Sequence, residues 1–179
     1  TKDVVERVNE MLRAARMTGG DFKISLTAQD IRPILKSSVE MFGDMATMRN
    51  IKLDSKIPRK VLMARIDTDK FAIAVQNLID NALKYTKSGS VTLSAAQIDN
   101  FIEVRVTDTG IGIDVAQSEH LFEKFYRHDD AVKMFTDGSG LGLFIVKKIA
   151  DAHGGTIRIE STKGEGSTFV LTIPAVKNG

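Results

Sequence analysis

Residues 67–112, DTDKFAIAVQNLIDNALKYTKSGSVTLSAAQIDNFIEVRVTDTGIG, decide the fold. Residues 67–85 place Leu78, Ile79, Ala82 and Leu83 at helical spacing and run into Lys87-Ser88-Gly89-Ser90, so they predict one long helix with a sharp stop. Two apolar-alternating runs follow, 91–98 and 101–107, joined by Asp99-Asn100, a tight hairpin signal. Strands joined by hairpins argue for a mixed sheet, not a doubly wound parallel one.

Working outward from this stretch, the N-terminal side predicts an extended piece at FKISL (22–26). A helix then opens near Thr27-Ala28-Gln29-Asp30 and runs to about Met48, with Pro33 in its first turn. Short strands are expected at 51–54 and 61–66. On the C-terminal side, residues 108–140 read as a long irregular stretch with one short helix at about 119–125. A helix from about Leu141 to His153 is closed by Gly154-Gly155, and a last hairpin pairs 156–161 with 168–173. The expected architecture is an α/β (α+β) two-layer sandwich, a mixed and mostly antiparallel sheet on about three helices. One further helix precedes it: residues 4–16 set Val4, Val5, Val8, Met11, Leu12 and Ala15 on one face. Gly19-Gly20 ends that helix, which divides the chain at 1–20 and 21–179.

Composition narrows the chemistry. Of 179 residues 42% are hydrophobic, enough for one full-sized core. No run of 18 apolar residues is present, so no membrane span is expected, and a cytoplasmic domain fits. Cysteine is absent, which excludes disulfides, thiolate metal sites and a Cys nucleophile. A net charge of +2, no Trp and two Tyr give no basic or base-stacking surface for nucleic acid. His120, His128 and His153 lack metal-cluster spacing and are expected to carry no chemistry.

Three places remain where chemistry could reside. Asn77 and Asn81 are four apart and Lys84 three further on, so two amides and an ammonium share a helix stripe. Such a stripe suits a hydrated Mg²⁺ beside a polyphosphate, and equally a solvated face. In the strand 101–107, Ile102, Val104 and Val106 share a parity that continues to Asp108, delivering a carboxylate to the end of an apolar face. Gly110 and Gly112 let a flat ligand approach it, and the carboxylate can accept from an exocyclic amine; capping of the next turn is the plainer alternative. Gly138-Ser139-Gly140-Leu141-Gly142 opens the helix after it, where freed N–H groups and the helix dipole favour an anion. That spacing is neither a Rossmann fingerprint nor a Walker A.

The ordered set is more specific than its members. N-x-x-x-N-A-x-K-Y at 77–85, D-x-G-x-G at 108–112, L-F-x-x-F-Y-R at 121–127 and G-x-G-L-G-L at 138–143, with the closing H-G-G-T-I-R-I-E-S and G-E-G-S-T-F, resembles the catalytic ATP-binding domain of sensor histidine kinases. These belong to the superfamily shared with gyrase and MutL. The resemblance covers roughly residues 22–176 and implies a Bergerat-type fold binding ATP and Mg²⁺. By it, Asn77 and Asn81 hold the metal, and Lys84 and Tyr85 line the phosphate and sugar side. Asp108 takes the adenine amine, helped by Thr168, with Gly110 and Gly112 shaping the pocket. Phe122 and Phe125 anchor a lid, Arg127 reaches the terminal phosphate, and Gly138, Gly140, Leu141 and Gly142 form hinge and helix N-terminus.

Where the superfamily's hydrolases carry a glutamate that activates water, this chain has Asn77, which cannot act as a base. Asp80, three positions along, is expected off that face. Transfer is therefore favoured over hydrolysis, the alternatives being an ATP-hydrolysing relative and a non-catalytic nucleotide-binding module. The family's phosphoacceptor pattern S-H-E-L-R-T-P is missing, and 1–17 resemble the end of the second helix of the dimerisation hairpin. The implied partners are that hairpin and a response regulator, in a parent that is a dimer and membrane-linked, this piece being a monomer. Removing residues 1–18 should leave ATP affinity nearly unchanged in a binding titration; lost binding would make that helix part of the core.

Overall fold

The computed structural model describes residues 22–114, 120–126 and 139–176, together with Val8, Met11 and Leu12. The chain order is β1 (Thr27–Asp30), α1 (Arg32–Met41), α2 (Gly43–Met48), β2 (Ile51–Lys56), β3 (Met63–Ile66), α3 (Thr68–Tyr85), β4 (Gly89–Ile98), β5 (Phe101–Asp108), α4 (Gly142–Ala152), β6 (Thr156–Thr162) and β7 (Gly166–Pro174). Val8, Met11 and Leu12 are helical and about half exposed.

Five strands form one sheet in the order β2-β4-β5-β7-β6, with β2 parallel to β4 and every other pair antiparallel. Alternation sorts its faces. Val91 and Leu93 of β4, Ile102, Val104 and Val106 of β5, and Phe169, Leu171 and Ile173 of β7 all enter the core under the helices. The other face carries an ion-pair lattice, in which Arg158 reaches Glu103 at 3.0 Å and Arg105 reaches Glu103 at 3.1 Å. The expected two-layer sandwich is therefore what forms.

The predicted helix over 27–48 is three elements instead. Thr27–Asp30 pairs antiparallel with β3 in a small second sheet, and the helical part breaks at Phe42. Asp30 explains the early boundary: its carboxylate binds the Arg32 side chain at 2.7 Å and accepts from the Arg32 backbone N–H at 3.2 Å. These bonds turn the chain into α1 only at that point. The expected strand 61–66 shortens to Met63–Ile66, and described residues 120–126 form turns in place of a short α-helix.

α3 is the helix around which the core is built. Asp67 caps its start by accepting from the Lys70 N–H at 3.1 Å. Phe71, Ala74, Val75, Leu78, Ile79, Ala82 and Leu83 are buried along one side. The chain leaves the helix at Thr86, whose hydroxyl donates to the Ala82 carbonyl at 2.8 Å. α4 packs along α3, with Ile145, Val146 and Ile149 buried. His153, the C-cap of α4, is 4% exposed and neutral by construction: Nδ1 donates to the Ile149 carbonyl at 2.7 Å, and Nε2 accepts from the Asp67 N–H at 3.1 Å. Burial holds its pKa below the ordinary imidazole value. Leu78 is completely buried; Leu78→Ala is expected to lower unfolding free energy by about 2–5 kcal/mol in a denaturant titration.

Candidate functional site

The strand parity read from the sequence holds to its last residue. Asp108 ends β5 on the core side and is 5% exposed. No cation pairs with it among the described residues. Its partners are backbone: the Gly110 N–H donates to Oδ1 at 2.8 Å, and the Ser167 N–H faces the carboxylate from β7. Gly110 has to be glycine, because a Cβ there would lie 2.3 Å from the Tyr85 carbonyl and 2.7 Å from Asp108 Oδ1. The Ile111 N–H donates to that same Tyr85 carbonyl at 3.2 Å, so the turn after β5 is tied to the end of α3. Tyr85 thus acts on the site through its backbone.

Thr168 stands on the opposite face of the sheet from Asp108. It pairs with Thr107, hydroxyl to hydroxyl at 3.0 Å, because residues of adjacent parity point to opposite sides. The side chain beside Asp108 is Ser167, directly across in register and 6% exposed. Its hydroxyl lies 2.9 Å from that of Ser161, which accepts from the Ile113 N–H at 2.8 Å. The alternation that places Phe169, Leu171 and Ile173 in the core also places Ser167 there, so the signal was available in the sequence.

On α3, Asn77 is held by its own helix: Nδ2 donates to the Ile73 carbonyl at 2.8 Å. Oδ1 is thereby turned toward the start of α4, where a Cβ on Gly142 would approach it to 3.2 Å. A methyl group there would press on that oxygen, which would have to give way by a few tenths of an ångström. Asn81 lies one turn further along, half-buried. Lys84 is paired with Asp80 at 2.5 Å. Asp80 is therefore not off the stripe as expected; residues three and four apart are neighbours on a helix surface, and Asp80 lies four before Lys84.

The lid-side residues are placed in part. Phe122 packs against the core, and Phe125 is 62% exposed at a φ of 62° with its N–H donating to the Gly140 carbonyl at 3.1 Å. Leu141 is buried and caps α4, and Gly112 turns toward the β6–β7 hairpin. Arg127 and Gly138 lie outside the described residues. The described residues hold no group of three or more His, Cys, Asp or Glu able to bind a metal, and no helix long and apolar enough to cross a membrane.

Burial pushes the Asp108 carboxyl up from 3.8 to about 6, against the two backbone donors. The fold therefore holds this proton more tightly than the unfolded chain does. The stability so gained is full below about pH 3.8 and is lost as pH rises through about 6, leaving a cost of order 3 kcal/mol at neutral pH. Asp108→Asn keeps the shape without the charge. It should raise the melting temperature of the nucleotide-free chain at pH 7.5, by a difference that shrinks toward zero near pH 4.

Comparison with known proteins agrees with this geometry. The family model described as "Histidine kinase-, DNA gyrase B-, and HSP90-like ATPase" matches residues 66–177. The sensor-like histidine kinase SenX3 of Mycobacterium tuberculosis is 36% identical over 172 residues, covering 96% of this chain and 42% of that protein. The sensor histidine kinase WalK of Bacillus subtilis is 32% identical, over 97% of this chain and 29% of its own length. The chain thus spans less than half of these relatives. Among solved structures, full-length ShkA in complex with AMPPNP superposes with a TM-score of 0.85 at 28% identity, over 98% of this chain and 36% of that one. A catalytic domain of the histidine kinase ThkA gives 0.74 at 25% identity, over 84% and 95%. With the matched residues running from the end of β3 through the whole site to the end of β7, the chain belongs to the family of histidine kinase-, DNA gyrase B- and HSP90-like ATPases.

Proposed function

We propose that this chain is the ATP-binding catalytic part of a sensor histidine kinase, passing the γ-phosphoryl group of Mg-ATP to a histidine on a separate helical hairpin. From there the group would pass to a response-regulator aspartate. The observation that carries the reading is Asp108, a buried carboxylate given two backbone donors and, among the described residues, no cation, at the end of an apolar face. The exocyclic amine of adenine supplies the missing donor, and Ser167 beside it offers a hydroxyl to the ring.

The residues present also fit magnesium. Asn77 spends its amide N–H₂ on its own helix and keeps Oδ1 as a hard oxygen donor at the start of α4, with Asn81 one turn on. When bound, the ion would neutralise charge on the β- and γ-phosphates. Lys84 keeps its ion pair with Asp80 and has two further N–H donors to offer the phosphates. Gly140–Gly142 bring the α4 N–H groups to the same side.

Transfer is favoured over hydrolysis because nothing on this stripe serves as a base for water. Asn77 is neutral, and the Asp80 carboxylate is ion-paired with Lys84. The residues position the phosphates and leave attack to the acceptor imidazole, with proximity supplying much of the rate. Binding titrations test the reading. Asp108→Asn should weaken ATP by about 10- to 100-fold, and Asn81→Ala should remove most of the gain in affinity that magnesium gives. Unchanged affinity in the first would take Asp108 out of the adenine site; an unchanged magnesium response in the second would take Asn81 off the metal.

A further inference from the structure

α4 meets α3 at both ends, by a close approach at one and a hydrogen bond at the other. At its start, Gly142 sits against Asn77 Oδ1; at its close, His153 reaches the Asp67 N–H that opens α3. The helices therefore run in opposite directions between two fixed points. Asp67 to Asn77 is ten residues and Gly142 to His153 is eleven, about 15 and 17 Å at the helical rise. The lengths match, so the placement of one end fixes the other.

We propose that His153 is a positioning residue for the nucleotide's phosphate groups: by tying the C-cap of α4 to the N-cap of α3, it sets where Gly140–Gly142 stand against Asn77. The inference rests on the phosphate-side reading of the α4 N-terminus given above. The site of the tie demands both hydrogen-bonding roles at once. The ring donates to Ile149 within α4 at 2.7 Å and accepts from α3 at 3.1 Å, and only a neutral imidazole offers a donor and an acceptor on opposite sides of one rigid ring. Phe71 packs beside it, with ring centroids 6.3 Å apart and the rings tilted by 55°. Asp67 is itself held from three sides, by the Ser25 N–H at 3.1 Å, the Lys70 N–H at 3.1 Å and the Lys70 ammonium at 3.2 Å. The anchor on α3 is thus rigid, and sliding of α4 is what loss of the tie would release. A purely packing role would be met as well by a phenyl ring in the same space.

The test separates phosphate binding from adenine binding. Affinities of the chain for a non-hydrolysable ATP analogue in magnesium and for adenosine are measured well below each variant's melting temperature. His153→Phe should weaken the analogue roughly tenfold, the scale of a misplaced helix N-terminus, with adenosine affinity unchanged. His153→Gln, whose carbonyl can accept from the Asp67 N–H, should restore most of the loss. If His153→Phe does not fold, His153→Asn takes its place, since it keeps the donor to Ile149 and is too short to reach Asp67. Equal weakening of both ligands, or of neither, overturns the positioning role. A wild-type chain that binds neither ligand overturns the nucleotide reading itself, and this inference with it.

Discussion

Everything in the site is referred to α3. Its buried side holds the sheet, its Tyr85 carbonyl holds the turn after Asp108, its Asn77 amide meets the first turn of α4, and its Asp67 cap receives His153 from the last. Four separate pieces of the site are thus fixed to one rigid rod, although β5, α4 and the loops between them are distant in sequence. A helix with a fully buried apolar stripe is a dependable frame, because core packing resists displacements of even a fraction of a side chain. Asn77 is informative for the same reason. Its N–H₂ group is committed inward, so the oxygen it presents is held in place before any ligand arrives.

Two buried titratable groups give the fold opposite responses to acid. Asp108 is easier to bury protonated, so lowering the pH relieves it. His153 is buried neutral with its pKa held down by burial, so the stability it lends is present above the ordinary imidazole pKa and is lost as pH falls below it. The carboxylate is a local cost that an amine-bearing ligand would offset, and the imidazole is part of what holds the frame rigid around that cost. A site tuned for a ligand commonly sits at the expense of the empty fold.

Much of this was legible in the sequence. The period of α3, the hairpins and the parity that carries Asp108 into the core all read correctly, because each follows from a local repeat and a buried face. Where the structure differs, a tertiary partner decides at Thr27–Asp30, and local parity and helix geometry at Thr168 and Asp80. Thr27–Asp30 looked like a helix opening, yet β3 offered it a strand to pair with. The resemblance implies Thr168 as the helper of Asp108, while strand parity puts Ser167 beside it. Asp80 is expected off the Asn77 stripe, yet it lies one turn from Lys84 and pairs with it. The closing motif marks His153 without its role, since that role depends on Asp67, which the fold brings to it from the other end of the core.

The central claim is that the site holds ATP ready for an acceptor and does not supply water with a base. Calorimetric titration of the chain with ATP in magnesium tests it most directly. Saturable heat that ends after each injection is the expected result, the sign of binding without turnover. Heat that continues after saturation would show hydrolysis despite Asn77, and absence of heat at two temperatures would show a fold that binds no nucleotide; either contradicts the claim.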